Sequence, residues 1–452
     1  MNARTPGLTY NEALRALADR GRFGIRLGLG RTRALLDGLG HPELGLRGAL
    51  VAGTNGKGSV LALADAALRA AGYRVGTTPK PHLVSYRERI QIDGRPIEAD
   101  DFARLVDRVL NISDGVARWH GQPTEFELLT AVVFAHFAAV RPDLVLVEVG
   151  LGGRLDATHA WDGGVAVVTN VDLDHTDRLG DTITAIAREK AAIIERGDVA
   201  VTGAHGDALA VIRRRARRLS VPLTEATPAP LVGWDRDGID VELPGLGRTR
   251  VGLRGRHQAA NVAVAHALLD ALQAAGIAQV DAAARRTGYA MAVWPGRLEL
   301  LGVGGRDVLL DGAHNPAGAQ ALATALDDLR PFLADGPLTL VTASMADKDV
   351  DGVVGALATS RAITGATIIA TSLDVARAMP ATELAARWRR HVPSNRIIVD
   401  AEVGAALDRA LGRPDAGTGP VVVAGSLYLV GAARGRWVDD PDLRDPEPPE
   451  DA

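Results

Sequence analysis

Short apolar runs with no polar alternation restrict this chain more than any other feature. They recur at 48–52, 144–149, 165–169, 308–310, 338–341, 368–370 and 421–424, bounded by Gly, Asp or Asn. A strand with one wet face alternates apolar and polar residues, whereas a strand covered on both faces does not, and parallel sheets flanked by helices produce the second pattern. Between these runs, 60–71, 127–140, 182–195 and 258–275 carry apolar residues at helical spacing. The alternation predicts an α/β fold. A chain of 452 residues exceeds one ordinary domain and suits two.

The texture changes over 222–253, where Pro, Gly and short β-like pieces such as 239–243 predict a small antiparallel excursion ahead of the helix at Gln258. Val293-Trp294-Pro295-Gly296 breaks a helix before a new strand at 298–301. The expected organisation is therefore a P-loop parallel-sheet N-terminal domain over 1–294 and a smaller Rossmann-like α/β C-terminal domain over 295–440. Residues 441–452 are acidic and Pro-rich with little to bury, and a disordered tail is expected there.

A net charge of −4 gives no global attraction to nucleic acid or anionic membrane, so no partner of either kind is expected. The basic stretch from Arg213 to Arg218 fits a solvated helix face, with Val211, Ile212 and Leu219 turned inward. Zero cysteines exclude disulfides, thiolate metal sites and thiol nucleophiles, and fit a reducing compartment. The N-terminus has no signal-peptide pattern, and no apolar run reaches the roughly 18 residues of a membrane span. A cytoplasmic monomer is the expectation.

Leu50-Val51-Ala52-Gly53-Thr54-Asn55-Gly56-Lys57-Gly58-Ser59 passes from a buried run through a Gly-rich turn into a helical pattern. Glycines let the backbone close around phosphate oxygens. The helix N-terminus adds N–H groups and partial positive charge, and Lys57 can reach β/γ-phosphates. Ser59 can offer its hydroxyl to Mg²⁺. The spacing departs from G-x-x-x-x-G-K-[ST], because Gly58 separates Lys57 from Ser59. Strand, turn, lysine and helix together predict ATP binding by Thr54, Asn55, Gly56, Lys57, Gly58 and Ser59.

The same loop, with its Gly58, resembles that of the Mur-ligase family and, within it, the folylpolyglutamate synthase/dihydrofolate synthase branch. Further segments agree in order: Pro81-His82-Leu83-Val84-Ser85-Tyr86-Arg87-Glu88-Arg89-Ile90; Glu148 through Thr158, containing Gly152-Gly153-Arg154-Leu155-Asp156; Asp174-His175-Thr176; and Arg188-Glu189-Lys190-Ala191. The second half adds Pro295-Gly296-Arg297-Leu298-Glu299, Asp311-Gly312-Ala313-His314-Asn315-Pro316, Ala346-Asp347-Lys348-Asp349 and Gly425-Ser426-Leu427-Tyr428. The resemblance spans nearly the whole chain. It implies a carbon–nitrogen ligase that joins L-glutamate to dihydropteroate or a reduced folate, with ATP and Mg²⁺, and it leaves open a monovalent cation such as K⁺.

A carboxylate at neutral pH is a poor electrophile, so the implied reaction needs ATP to convert it to an acyl phosphate that the glutamate amine attacks. The catalytic load then falls on positioning and charge neutralisation rather than on a protein nucleophile. Glu148 ends an apolar run where open α/β sheets place ligand-binding groups, as a Mg²⁺ ligand or as an N-cap or ion-pair residue. His175 is either a loop histidine or, as the resemblance implies, a metal ligand beside Ser59 and Glu148. Lys190 is either a surface lysine or the family's carbamylated lysine. Asn261, Arg297 and Asp311 resemble family residues that contact ATP, and His314 either lines the phosphate pocket or is a hydrogen-bonded loop histidine.

For the pterin substrate the resemblance points to Leu27, Gly28 and Leu29, to His82, to Thr124, Glu125, Phe126 and Glu127, and to Gly153, Arg154 and Leu155. Phe126 can stack on a flat heterocycle or start a helix's apolar face. The pattern is broken at Lys80, where the family's loop carries a metal-ligating Ser. Either Thr77, Thr78 or water takes that coordination position, or Lys80 meets phosphate directly as a point charge. Arg26, Gly30 and His159 also depart from the family's usual residues and bear on substrate preference. The nearest alternatives are a Mur ligase acting on a cell-wall precursor and a nucleotide switch without synthetic activity.

Overall fold

The computed structural model describes residues 7–21, 24, 26–413 and 417–446. The chain forms two compact units. The first comprises the residues up to Pro228, Ala263–Gly288 and the segment from Asp440; the second comprises Ala229–Val262 and Tyr289–Asp439.

In the first unit β1 (Gly48–Ala52), β2 (Val75–Thr78), β3 (Gln91–Ile92), β4 (Arg95–Pro96), β5 (Leu144–Glu148), β6 (Gly164–Val168), β7 (Val199–Thr202) and β8 (Leu223–Glu225) form one sheet in the order β4-β3-β2-β5-β1-β6-β7-β8. Pairing is parallel from β2 through β8, and the β3–β4 hairpin closes one edge antiparallel. Every residue of β1 and β5 is buried, which is why neither strand carries polar alternation. Each fully buried Val or Leu in these strands contributes about 1.5–3 kcal/mol. The register sets Val51 opposite Glu148 and Ala52 opposite Val168, so the turn after β1, the end of β5 and the loop after β6 share one edge.

The second unit has a sheet in the order β12-β13-β17-β14-β15-β16, built from β12 (Glu299–Val303), β13 (Arg306–Asp311), β14 (Thr339–Thr342), β15 (Thr367–Ala370), β16 (Ile397–Val399) and β17 (Val421–Ala424). Only β12 runs antiparallel, against β13. A three-stranded antiparallel sheet, β9 (Leu231–Asp235), β10 (Gly238–Leu243) and β11 (Gly247–Val251), accompanies it. The α/β architecture and the apolar strand runs are as the sequence predicts.

Two features differ. The excursion expected inside a 1–294 domain divides: β8 completes the first sheet, while β9 to β11 belong to the second unit. Arg236 forks onto Asp307 at 2.6 and 3.0 Å, and Trp234 donates to the carbonyl of Asp328, contacts that chain order does not reveal. The tail expected to be disordered over 441–452 is instead placed through Pro446. Pro441–Leu443 forms a 3₁₀ turn, and Asp445 pairs with the buried Arg87 at 3.2 Å. A buried guanidinium needs a carboxylate, and this acidic segment supplies one. Residues 447–452 lie outside the described residues.

Candidate active site

The turn after β1 is shaped by two backbone requirements. Gly53 has φ +156°, and a Cβ there would meet the Thr169 hydroxyl at 1.8 Å. Gly56 adopts a left-handed conformation as N-cap of the helix Lys57–Ala70, with no side-chain cap over the helix end. The loop after β6 fastens this turn: Asn55 N–H donates to Asn170 Oδ1 (2.8 Å), Thr54 N–H to the Asn170 carbonyl (3.1 Å), and Thr169 Oγ1 to the Asn55 carbonyl (2.6 Å). Asn170 and Thr169 were not singled out from the sequence; their position just beyond a buried strand end was the available signal.

Lys57 Nζ donates to the carbonyls of Gly53 (3.0 Å) and Thr54 (3.2 Å) and lies 4.0 Å from Glu148 Oε1. Glu148 is 3% exposed. Its Oε2 accepts the backbone N–H of Lys80 (3.0 Å), and its carbonyl accepts the Lys80 ammonium. Burial pushes Lys80 down to about 8, against the opposing pull of Asp156 and Glu148. Its ammonium also sits 5.0 Å from the centre of the Phe126 ring, within a small pocket whose lining includes Thr78, Arg89, Leu129 and Phe134. Phe126 thus faces a pocket while opening the helix Glu125–Val140.

Lys190 lies in the last turn of the helix Ile183–Ala191 and is 4% exposed, not a surface lysine. Burial, then the nearby Lys57 ammonium, pushes its amine down to about 7, with Asp174, Asp156 and Asp172 opposing. His175 sits at φ +51° in the loop after β6, its Nε2 3.9 Å from Asp174 Oδ1. Among the described residues no group of three or more His, Asp or Glu is arranged to hold a metal. Hard oxygen donors are nevertheless present: Glu148, the buried Ser59 hydroxyl, and Thr78 Oγ1, which is buried without a hydrogen-bond partner. Mg²⁺ commonly takes one or two carboxylates, waters and substrate phosphates, so this donor set fits it, whereas the His175 imidazole is the less apt ligand.

Other residues read from the sequence lie around this edge in different roles. Gly28 N–H donates to the Leu155 carbonyl (3.2 Å), which joins the 27–29 and 153–155 loops. Arg154 pairs with Glu189 at 2.9 Å. Thr124 and Glu127 form a reciprocal cap on the helix they begin, and the Glu127 carboxylate also takes the Arg31 guanidinium at 2.9 Å. Glu125 accepts from the Tyr86 hydroxyl at 3.0 Å. Arg89, given no site role from the sequence although it lies in the 81–90 segment, donates to His82 Nδ1 at 2.8 Å.

In the second unit, Asp311 gathers its own loop: Oδ2 accepts Leu298 N–H and Oδ1 accepts Ala313 N–H, both at 2.9 Å. A Cβ on Gly312 would strike the Arg297 guanidinium at 2.0 Å, so Arg297 lies directly over that glycine. His314 Nδ1 faces the Gly312 carbonyl at 2.8 Å. Asn261 donates to Gln258 Oε1 at 2.8 Å, and the adjoining His257 feels the charges of Asp311 and Arg297. Arg297, Asp311 and His314 are therefore one cluster.

The Mur ligase middle-domain model matches residues 51–269, and the dihydrofolate synthetase C-terminal-domain model matches 304–433. The chain belongs to the Mur ligase family. Within it, the chain is 36% identical to a Mycobacterium tuberculosis dihydrofolate synthase/folylpolyglutamate synthase over 91% of this chain and 90% of that protein. It is also 36% identical to a probable bifunctional folylpolyglutamate synthase/dihydropteroate synthase of Haloferax volcanii, covering 95% of this chain but spanning only 51% of that relative's length. The crystal structure of the Mycobacterium tuberculosis folylpolyglutamate synthase complexed with ADP and AMPPCP superposes with a TM-score of 0.84 at 33% identity, over 95% of this chain and 100% of that one. No helix among the described residues is long and apolar enough to cross a membrane.

Proposed function

We propose that the chain ligates L-glutamate to dihydropteroate, to reduced folates, or to both, using Mg-ATP. The observation that carries this reading is the buried Glu148 carboxylate, held by the Lys80 backbone and 4.0 Å from Lys57 at the mouth of the phosphate loop, in a chain with a dihydrofolate synthase/folylpolyglutamate synthase relative over nine-tenths of its length. A nucleotide switch would also use a carboxylate for Mg²⁺, so the relative's identity over nine-tenths of the chain is what favours ligation.

The substrate carboxylate oxygen attacks the γ-phosphorus, and the bond to the β-phosphate oxygen breaks to release ADP. The glutamate amine then attacks the acyl carbon. The resulting tetrahedral adduct loses a proton and expels phosphate, leaving the amide. Lys57 and the N–H groups of the turn neutralise the phosphoryl oxygens. Glu148 and Ser59, with Thr78 as the remaining hydroxyl, would hold Mg²⁺, which would supply charge neutralisation during phosphoryl transfer. Within the second unit, Arg297 suits phosphate charge, Asp311 suits ribose hydroxyls, and Asn261 is a further candidate nucleotide contact. The pterin acid is assigned to Phe126 and to the 27–29 and 153–155 loops, which the Gly28 to Leu155 hydrogen bond joins. Lys190 acts as a carbamate.

ADP release from purified protein with Mg-ATP and L-glutamate tests the reading, comparing dihydropteroate, tetrahydrofolate and UDP-muramoyl peptides as the acid. Release with either pterin acid is expected. Stimulation only by the muramoyl substrate would reverse the assignment.

Lys80 gives a second test. Replacing its ammonium with a hydroxyl in Lys80→Ser removes a positive charge beside Glu148 and adds a hard donor. The ligase should stay active, with half-maximal Mg²⁺ lowered by about threefold or more. An unchanged Mg²⁺ titration would place this loop away from the metal.

A further inference from the structure

The loop between β2 and β3 is rigid for reasons that lie on both of its faces. Glu88 accepts the backbone N–H groups of Leu83 (3.1 Å), Val84 (2.6 Å) and Ser85 (2.7 Å), and Ser85 Oγ returns a cap to Arg87 N–H (3.2 Å), closing the 3₁₀ turn Tyr86–Arg89. On one face, Tyr86 packs on His82 with ring centroids 4.2 Å apart, and Arg89 lies over Tyr86 at 5.3 Å while donating to His82 Nδ1. Nδ1 is therefore the acceptor, which leaves the imidazole proton on Nε2 as a donor. Burial, reinforced by Arg89, holds His82 neutral by pushing it down to about 3.

The other face is held by the end of the chain. The Arg87 side chain is 6% exposed, and among the described residues its ion-pair partner is Asp445 (3.2 Å). Its remaining donors go to the carbonyls of Arg444 (2.8 Å) and Ile97 (3.3 Å). Asp445 Oδ1 also accepts the Ser85 hydroxyl at 2.6 Å, so one carboxylate grips both the cap and the centre of the turn. Asn11 Nδ2 fixes the Pro446 carbonyl at 3.2 Å.

We propose that Asp445 is a positioning residue for the acid substrate: by holding Ser85 and Arg87 it fixes the turn that presents His82, Tyr86 and Arg89, whose Nε2–H and guanidinium suit a ligand bearing carbonyl or carboxylate oxygens. This rests on the ligase reading and on the pterin-binding role that the family resemblance gives His82. The phosphate loop is fastened by Asn170 and Thr169 instead, so the loss of Asp445 should weigh on the acid more than on the nucleotide. Without Asp445 a buried guanidinium loses its counter-charge and the turn must shift to hydrate it.

Steady-state kinetics and hydrogen exchange on the full-length chain test this. Asp445→Ala should raise KM for the pterin acid by about tenfold or more, with kcat and KM for ATP within about twofold. Exchange across residues 82–90 should quicken. Asp445→Asn, which keeps an acceptor for Ser85, should fall between wild type and Ala, and it carries the test should the Ala variant fail to fold. Adding Arg87→Ala to Asp445→Ala should recover part of the loss, because no buried charge is then orphaned. Unchanged acid KM with unchanged exchange, or equal rises in both KM values, would overturn the proposal. Failure of the wild type to release ADP with any pterin acid would instead defeat the ligase reading, while the exchange comparison would still decide whether Asp445 holds the turn.

Discussion

Lys57→Ala should lower kcat/KM for ATP by about 10³-fold, near the upper end of what one preorganised donor to a developing anion supplies. Two losses combine in this variant. The ammonium at the mouth of the turn no longer neutralises phosphoryl oxygens, and Glu148 loses the positive charge 4.0 Å from its Oε1. Lys57→Arg is not expected to rescue. In the loop, Lys57 Nζ is a compact donor folded onto the Gly53 and Thr54 carbonyls, and a planar fork does not reproduce that geometry. Calorimetry with a non-hydrolysable ATP analogue would separate weakened binding from slowed transfer. Binding and turnover within threefold of wild type in the Ala variant would remove Lys57 from the chemistry.

The loop around Lys57 was legible because its signal is local. A buried run, glycines and a helix start lie within ten consecutive residues, and each reports its own backbone requirement. The strands were legible for a similar reason, since β1, β6 and β17 carry no polar side chain and β5 carries none before Glu148. β2 was not, because Gly76, Thr77 and Thr78 are buried without being apolar, and Thr78 is left with an unpartnered hydroxyl at the site. The division into units was harder still. Whether 229–262 joins the first or second unit depends on pairs such as Arg236 with Asp307, separated by 71 residues, and composition carries no trace of them. The same holds for the C-terminal segment. Its acidity reads as disorder until the buried Arg87, 358 residues earlier, is seen to require it. For Thr124 and Glu127, side chains that a family pattern assigns to substrate also make a helix cap, and only geometry shows which groups they touch.

Lys190→Ala should lower kcat by about 10²-fold or more, and millimolar acetate should restore part of the activity, because the proposed carbamate is an anion rather than an amine. The buried site prepares that group. A carbamate forms when a neutral amine attacks carbon dioxide and releases a proton, and an ordinary lysine near 10.4 is almost wholly protonated at neutral pH. With its amine pushed down to about 7 by burial and by Lys57, Lys190 is far more readily neutral there than an ordinary lysine. The modification turns a repelling ammonium into a carboxylate beside Lys57, so each makes the other's charge less costly to bury. The neutral fraction rises with pH through 7, so activity of carbon-dioxide-depleted enzyme returned to bicarbonate should recover faster at pH 8 than at pH 6. Mass spectrometry of protein kept from acid should find the carbamate on Lys190. Only unmodified lysine, together with full activity in Lys190→Ala, would leave that buried amine without a role in the reaction.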